Sequence, residues 1–385
     1  MNGQLGTVPE SRDGLLALVV IGAAAVASTF TLGTPYLVYR PKGLEDMGVT
    51  AENNARLAEL VSQFYSEADE GTPLYVVGYA STETMTKLCD KDTGSLKGLL
   101  QSLKGELRGV VIASAVEGDA DVTEGLDPDV LSALPKAQAL AEYAADSLYA
   151  PVFIALEGRE YSGTASELKD LSDMAYNRCC VVIGDTASGS GNAAMGVFAG
   201  RAAAVPVQRN IGRVADGALS PTVMYIGEKT VDESGDDVTT IYDKGYITPR
   251  TYVGRTGYFF SDDRMACDPT DDYAHLTARR TIDKAARIAY DTLLDFMLGE
   301  IEVNEDGTMQ QPVLKNWQAA VESAIDTQMT AAGELSATDG SGCTCYIDPS
   351  QNVLSTSTVN MTLKVRPYGY ARFINVELGF YVEAA

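Results

Sequence analysis

The chain has 385 residues, 45% hydrophobic and 21% charged, which suffices for more than one compact domain with a sizeable core and does not fit a disordered protein. Its 53 acidic and 29 basic side chains leave a net charge of −24. Such a surface repels phosphate backbones and anionic lipid, so neither nucleic acid nor membrane is expected as a main partner.

A polar start carrying Gly3, Gly6 and Pro9 precedes an apolar run from Leu15 to Ala27. Glu10, Arg12 and Asp13 deny that run the positive flank of a signal peptide, and it is too short to span a bilayer. Its first part, Leu15–Ile21, reads as a buried strand. After Thr50, residues Leu57, Leu60, Val61, Phe64 and Tyr65 fall on one helical face. Gly71-Thr72-Pro73 ends that helix, and the apolar run Leu74–Val77 follows.

A rhythm then sets in. Helix-like Leu96, Leu99, Leu100 and Leu103 lead to the strand Gly109–Ala113. Asp127-Pro128 supplies an N-cap and a first-turn proline for a helix that Pro135 is expected to restart. The strand Val152–Leu156, a helix around Glu167–Tyr176, the strand Cys179–Ile183 and a helix over Asn192–Ala203 complete the series. Short apolar strands alternating with helices predict an α/β domain over residues 15–204, a mainly parallel sheet flanked by helices.

Residues 205–270 form an irregular connecting region rich in Gly, Pro, Asp and Tyr, with an acidic loop at Asp232, Glu233, Asp236 and Asp237. Two amphipathic helices follow. The first has an apolar stripe of Leu276, Ile282, Ala286, Leu293 and Met297, and an outer face of Arg279, Asp283, Arg287 and Asp291 alternating in sign. The second, after Pro312, packs Leu314, Trp317, Val321, Ala324 and Ile325. The chain ends on two alternating runs: Val359, Met361, Leu363 and Val365, then, past Arg366–Gly369, Ile374, Val376, Leu378, Phe380 and Val382. Residues 271–385 are thus expected to make a C-terminal α+β domain. The last two runs can pair as an internal hairpin, add to a neighbour's sheet, or do both.

Little in the chain announces chemistry. A single histidine, His275, lacks the signature of a nucleophile and orienting partner, and rules out the common multi-histidine metal sites. None of the six cysteines has C-x-x-C spacing. Cys179 and Cys180 point to opposite faces of a strand; Cys343 and Cys345 share one, a weak metal hint better read as packing. The acidic run Asp119, Asp121, Glu124, Asp127, Asp129 lacks the glycine and glutamate of a calcium loop and has Val130 where the latter belongs. The best enzymatic lead is the Gly184–Gly191 loop between a strand and a helix, where nucleotide folds hold phosphate. Its glycines do not fit G-x-G-x-x-G, and no Lys-Ser/Thr closes it. No catalytic, cofactor or metal residue is therefore assigned.

Several stretches in order resemble the tail sheath proteins of contractile phages, including short members of that family. They are Pro9–Val20; Phe64-Tyr65 with Gly71–Val77; Tyr246–Phe260 (YITPRTYVGRTGYFF) running on to Thr270–Tyr273 and Arg279–Lys284; and the closing strands. The resemblance implies a non-enzymatic subunit without cofactor that polymerises around an inner tube and contracts to drive it through a target envelope. It implies stacked hexameric rings of the chain itself, with inner tube, baseplate and tail terminator proteins as partners, in a virion tail assembled in the bacterial host cytoplasm. A prophage or derived contractile injection system is equally implied. It also implies that chain termini add strands to neighbours' sheets. The expected linkage elements are the N-terminal arm, residues 1–14 with Gly3 and Gly6, and the terminal strands with Val359, Met361, Leu363, Val365, Ile374, Val376, Leu378 and Phe380. An α/β enzyme or nucleotide-binding protein using Gly184–Gly191, or another tail or baseplate component, is the alternative.

Overall fold

A computed structural model describes residues 13–118, 121–338 and 340–376. Gly3, Gly6, Leu378 and Phe380 lie outside the described residues. The chain divides into two compact units, one up to Met297 and the other from Leu298 onward.

The first unit is built on a six-stranded sheet. Its strands are β1 (Leu16–Ile21), β2 (Tyr36–Val38), β3 (Leu74–Tyr79), β4 (Gly109–Ser114), β5 (Phe153–Glu157) and β6 (Cys179–Val182). The order is β2-β3-β1-β4-β5-β6, with every neighbouring pair parallel except β2 against β3. Every residue of β1, β4, β5 and β6 is buried. Successive side chains point to opposite faces, so both faces of the sheet are covered, which is why these segments read as unbroken apolar runs.

The covering helices include α1 (Ala55–Glu67), α2 (Ser95–Ser102), α3 (Pro128–Asp146) and α4 (Met195–Ala204). Helices α1 and α4 touch backbone to backbone. A Cβ built on Gly196 would strike the Leu60 carbonyl, and one on Gly200 the Phe64 carbonyl. Helix α3 starts where Asp127 caps it, the side chain accepting from the Asp129 N–H at 2.9 Å. It runs through Pro135 without restarting. Pro135 is exposed and Leu131, whose carbonyl loses its N–H partner, is half-buried, so the break falls away from the core.

The helix expected around Glu167–Tyr176 is absent. One turn of 3₁₀ helix spans Ala165–Glu167, and Ala175–Tyr176 pairs antiparallel with Ala266–Cys267. Asp170 accepts from the Ser172 N–H at 2.9 Å, a local bond that competes with helix formation.

Helices α5 (Gly235–Asp243) and α6 (Leu276–Leu294) complete this unit. Helix α6 reverses the sequence expectation. The stripe expected to face water is largely inside: Arg279 is 7% and Asp283 4% exposed. Within the stripe expected to be core, Leu276 is buried, Ile282 and Leu293 are half-buried, and Ala286 and Met297 are exposed. The charges are drawn in because partners wait there. Arg178 lies 3.1 Å and Arg279 2.7 Å from Asp283, while the Arg280 guanidinium donates to the Val205 carbonyl at 3.0 Å.

The second unit holds α7 (Gln311–Ile325) and the antiparallel pair β7 (Cys343–Ile347) and β8 (Met361–Val365). Met309, Leu314, Ile347 and Val353 centre its small core, with Trp317, Val359 and Met361 packed on it. Strand β8 alternates half-buried and exposed residues, as its period predicted. No helix among the described residues is long and apolar enough to cross a membrane.

Candidate functional site

In an open parallel sheet, ligands gather beyond the carboxyl ends of the strands. In this protein an ionic network occupies part of that region. Glu157 ends β5 and is fully buried. It accepts from Arg56 Nη2 at 2.6 Å, from the Ser114 N–H at 2.7 Å and from the Ala193 N–H at 3.0 Å. The same Arg56 nitrogen also donates to the Ala193 carbonyl at 2.6 Å. Arg159 pairs with Asp127 at 3.4 Å. One carboxylate thus ties the ends of β4 and β5 to the entry of α4.

The sequence reading missed Arg56 and Glu157. The available signal was a lone acid at the end of the apolar run Val152–Leu156, where only a partnered charge can be buried.

The Gly184–Gly191 loop sits at the same end of the sheet, between β6 and α4. Part of its backbone is tied to neighbouring segments. Asp185 exchanges both main-chain hydrogen bonds with Tyr225, the Gly189 N–H donates to the Gly227 carbonyl, and the Ala194 N–H to the Gly184 carbonyl. The loop borders a cleft of about 500 Å³ lined by Glu160, Tyr161, Asp185, Ser190, Glu228 and Lys229 among others. Three carboxylates face one ammonium, and Lys229 is engaged with Asp237 at 3.4 Å. The field therefore opposes a phosphate, whatever the loop's position suggests.

His275 stands at the N-cap position of α6, and its Nδ1 lies 3.0 Å from Asp263 Oδ1 and 3.8 Å from Asp262 Oδ2. These three are the described group whose donor atoms could hold a cation. The carboxylates are already occupied, however. Asp263 accepts from Asn210 at 2.8 Å and from the Thr277 N–H at 2.7 Å, and Asp262 from Asn210 at 2.5 Å. Burial raises the Asp263 pKa, but hydrogen bonds from His275 and the Thr277 N–H, with the His275 charge, outweigh it and hold the carboxyl well below the usual range. The group ties α6 to the segment before it.

The other sequence candidates resolve as structure. Asp129 accepts from the Met85 and Thr86 N–H groups at 2.7 and 3.1 Å, capping a short helical turn. Cys343 and Cys345 share the buried face of β7. Burial pushes the Cys345 thiol up to about 11, so it is a packing group rather than a ready thiolate.

Of the expected linkage residues, Met361, Leu363 and Val365 lie on β8 and Val359 just before it, all half-buried. Ile374 and Val376 are each 77% exposed and belong to no strand. Among the described residues, β8 pairs with β7.

This fold is that of contractile sheath proteins. The chain is similar to one in the anti-feeding prophage baseplate in its contracted state, with TM-score 0.65, 14% identity, and coverage of 98% of this chain and 97% of that one. It is similar to one in the PVC sheath complex of an extracellular contractile injection system, also contracted, with TM-score 0.63, 15% identity, and coverage of 94% and 91%. A sheath tail protein from Desulfitobacterium hafniense matches with TM-score 0.50, 10% identity, and coverage of 87% and 90%. No curated protein matches the sequence. The chain belongs to the DUF2586 family, matching its N-terminal domain over residues 1–264 and its C-terminal domain over residues 272–385.

Proposed function

We propose that this protein is a structural subunit of a contractile sheath, which polymerises around an inner tube and shortens to drive that tube through an envelope. The observation that carries the reading is the fold match over nearly the whole of both chains to components of contractile injection systems. In this reading residues 1–14 form an arm, residues 15–204 a peripheral α/β domain, residues 205–270 a connection, and residues 271–385 the assembly domain. The partners are further copies in stacked hexameric rings, an inner tube, a baseplate and a terminator.

Physics supports the terminal linkage. Among the described residues β8 pairs on one side only, and Phe373, Ile374 and Val376 stand exposed just beyond it. An open edge followed by an exposed apolar segment is suited to strand addition by another chain. Contraction then requires two packings of one subunit, their small free-energy difference summed over many copies.

A second reading, a baseplate component, is favoured by the match to a chain of the anti-feeding prophage baseplate. Co-expression with the cognate tube and baseplate proteins, followed by electron microscopy, separates the two. Sheath subunits give long hollow cylinders whose length follows the tube. A baseplate component gives discrete particles at one tube end. Absence of the chain from every tube-bound particle overturns both.

A further inference from the structure

The cleft beside Gly184–Gly191 carries an unmet demand. Asp185 is 3% exposed. Its Oδ2 accepts from the Ser190 hydroxyl at 2.6 Å, but its Oδ1 has no hydrogen-bond partner. Arg56 Nη1 stands 4.0 Å off, beyond hydrogen-bonding distance. Tyr161 lines the same cleft, and its hydroxyl is also buried without a hydrogen-bond partner. Two orphaned polar atoms in one cleft call for a ligand that brings donors, because a buried acceptor left unmade is costly. Glu160 and Glu228 at the walls add negative charge. A small metal ion does not answer the demand, since these carboxylates do not come together as a ligand group. Asp185 is nearly buried although it lines the cleft, so a long, thin cationic group fits best. A guanidinium has the reach and presents several donors at once.

The chain supplies such a group elsewhere on its surface. Pro249–Arg250 and Phe259–Phe260 pair as a hairpin base. Arg250 lies over the Tyr252 ring at 4.4 Å, and Tyr252 meets Phe259 edge-on at 5.5 Å, so the base is braced. The tip is presented to solvent: Val253 is fully exposed, Gly254 turns at φ +78°, and Arg255 is exposed. Among the described residues, the Arg255 side chain has no ion-pair, hydrogen-bond or ring partner.

We propose that the Arg255 hairpin tip of one copy enters the acidic cleft of a second copy, its guanidinium meeting Asp185 and Glu228. The cleft stands where related topologies hold phosphate, but its charge is inverted. Tip and cleft are different surfaces of one sequence, so the contact is head-to-tail. Repetition of such a contact closes a ring or extends a filament. The proposal deepens the reading of the chain as a self-assembling subunit and rests on it only in requiring two copies.

The test is disulfide trapping in the full-length chain. All six native thiols are buried, so accessible ones are those introduced. Lys229→Cys at the cleft rim and Val253→Cys at the tip are mixed and oxidised, with Lys104→Cys replacing the cleft variant as control. The expected result is a cross-linked dimer several-fold above control. Adding Arg255→Glu to the tip variant should abolish the excess, as should adding Glu228→Lys to the cleft variant. The two reversals together should restore it. A yield no higher than control, or one indifferent to Arg255→Glu, overturns the proposal. Such a result leaves the sheath reading standing, and a failure to form cylinders leaves this pairwise contact measurable.

Discussion

Arg56 and Glu157, 101 residues apart in the chain, meet at 2.6 Å in the interior of the first unit, their side chains 8% and 0% exposed. The pair does more than balance charge. Glu157 also receives the backbone N–H groups of Ser114 and Ala193, so a side-chain ion pair organises the carboxyl ends of the strands.

Removing one partner should be costly. Arg56→Met leaves a buried carboxylate without its cation and should destabilise by about 3–5 kcal/mol. The paired replacement Arg56→Met with Glu157→Met should not recover wild-type stability. It orphans two buried N–H groups at about 1–3 kcal/mol each. Urea unfolding of the two variants checks this, and a double variant as stable as wild type would contradict it.

The contact between α1 and α4 depends on small residues. Gly196→Ala or Gly200→Ala drives a methyl group into a backbone carbonyl of α1. Each should cost about 1–3 kcal/mol through overpacking, although alanine favours helix. The measurement is the thermal midpoint, expected to fall in both variants. Gly98→Ala on α2 meets nothing within 4 Å and serves as a control expected to hold or raise it.

The two faces of α6 should respond oppositely to the usual rule. Asp283→Ala removes the carboxylate that meets Arg178 and Arg279, leaving buried cations, and should destabilise by about 3–5 kcal/mol. Ala286→Lys, on the exposed face, should change stability by no more than about 0.5 kcal/mol. Denaturant midpoints decide between them, and a reversed order would refute the inside-out reading of this helix.

Acid should weaken the protein through Asp263. Its carboxyl is held below its ordinary value of about 3.9. A depressed folded-state pKa gives stability that is full above the unfolded value and is lost as pH falls through the folded one. Stability should therefore drop below about pH 4. In Asp263→Asn, less stable at neutral pH, that part of the acid slope should disappear. Urea midpoints from neutral pH downward test the difference in slope; equal slopes would remove Asp263 from the acid response.

The terminal linkage makes a separate prediction. Val376→Pro, or deletion of residues 1–12, which keeps Asp13 paired with the buried Lys284, should leave circular dichroism and the thermal midpoint close to wild type. Val376 is 77% exposed, outside any strand, so proline there breaks no bond within the described residues. Either change should abolish cylinders formed with the tube and baseplate proteins. Normal-length cylinders under the microscope would dismiss the arms as linkage elements.

The sequence by itself determined the sheet. Strands β1 and β6 are apolar throughout, β4 and β5 are apolar up to their last residues, Ser114 and Glu157, all four alternate with helical periods, and only burial on both faces tolerates such runs. It also determined the starts of α3 and α7, because Asp127-Pro128 and Pro312 act within one turn of the helix they begin. What it could not determine was anything set by a distant partner. The Arg279–Asp283 stripe reads as a solvated face until Arg178 is placed against it. Glu157 reads as a strand end until Arg56 arrives. Strand β8 has a legible period but an illegible partner: the sequence offered the run after it or a neighbour's sheet, and the fold pairs it with Cys343–Ile347. Period and capping are local properties of the backbone. Whether a charge is solvated or buried depends on which groups the fold brings to meet it, and that only the tertiary structure decided.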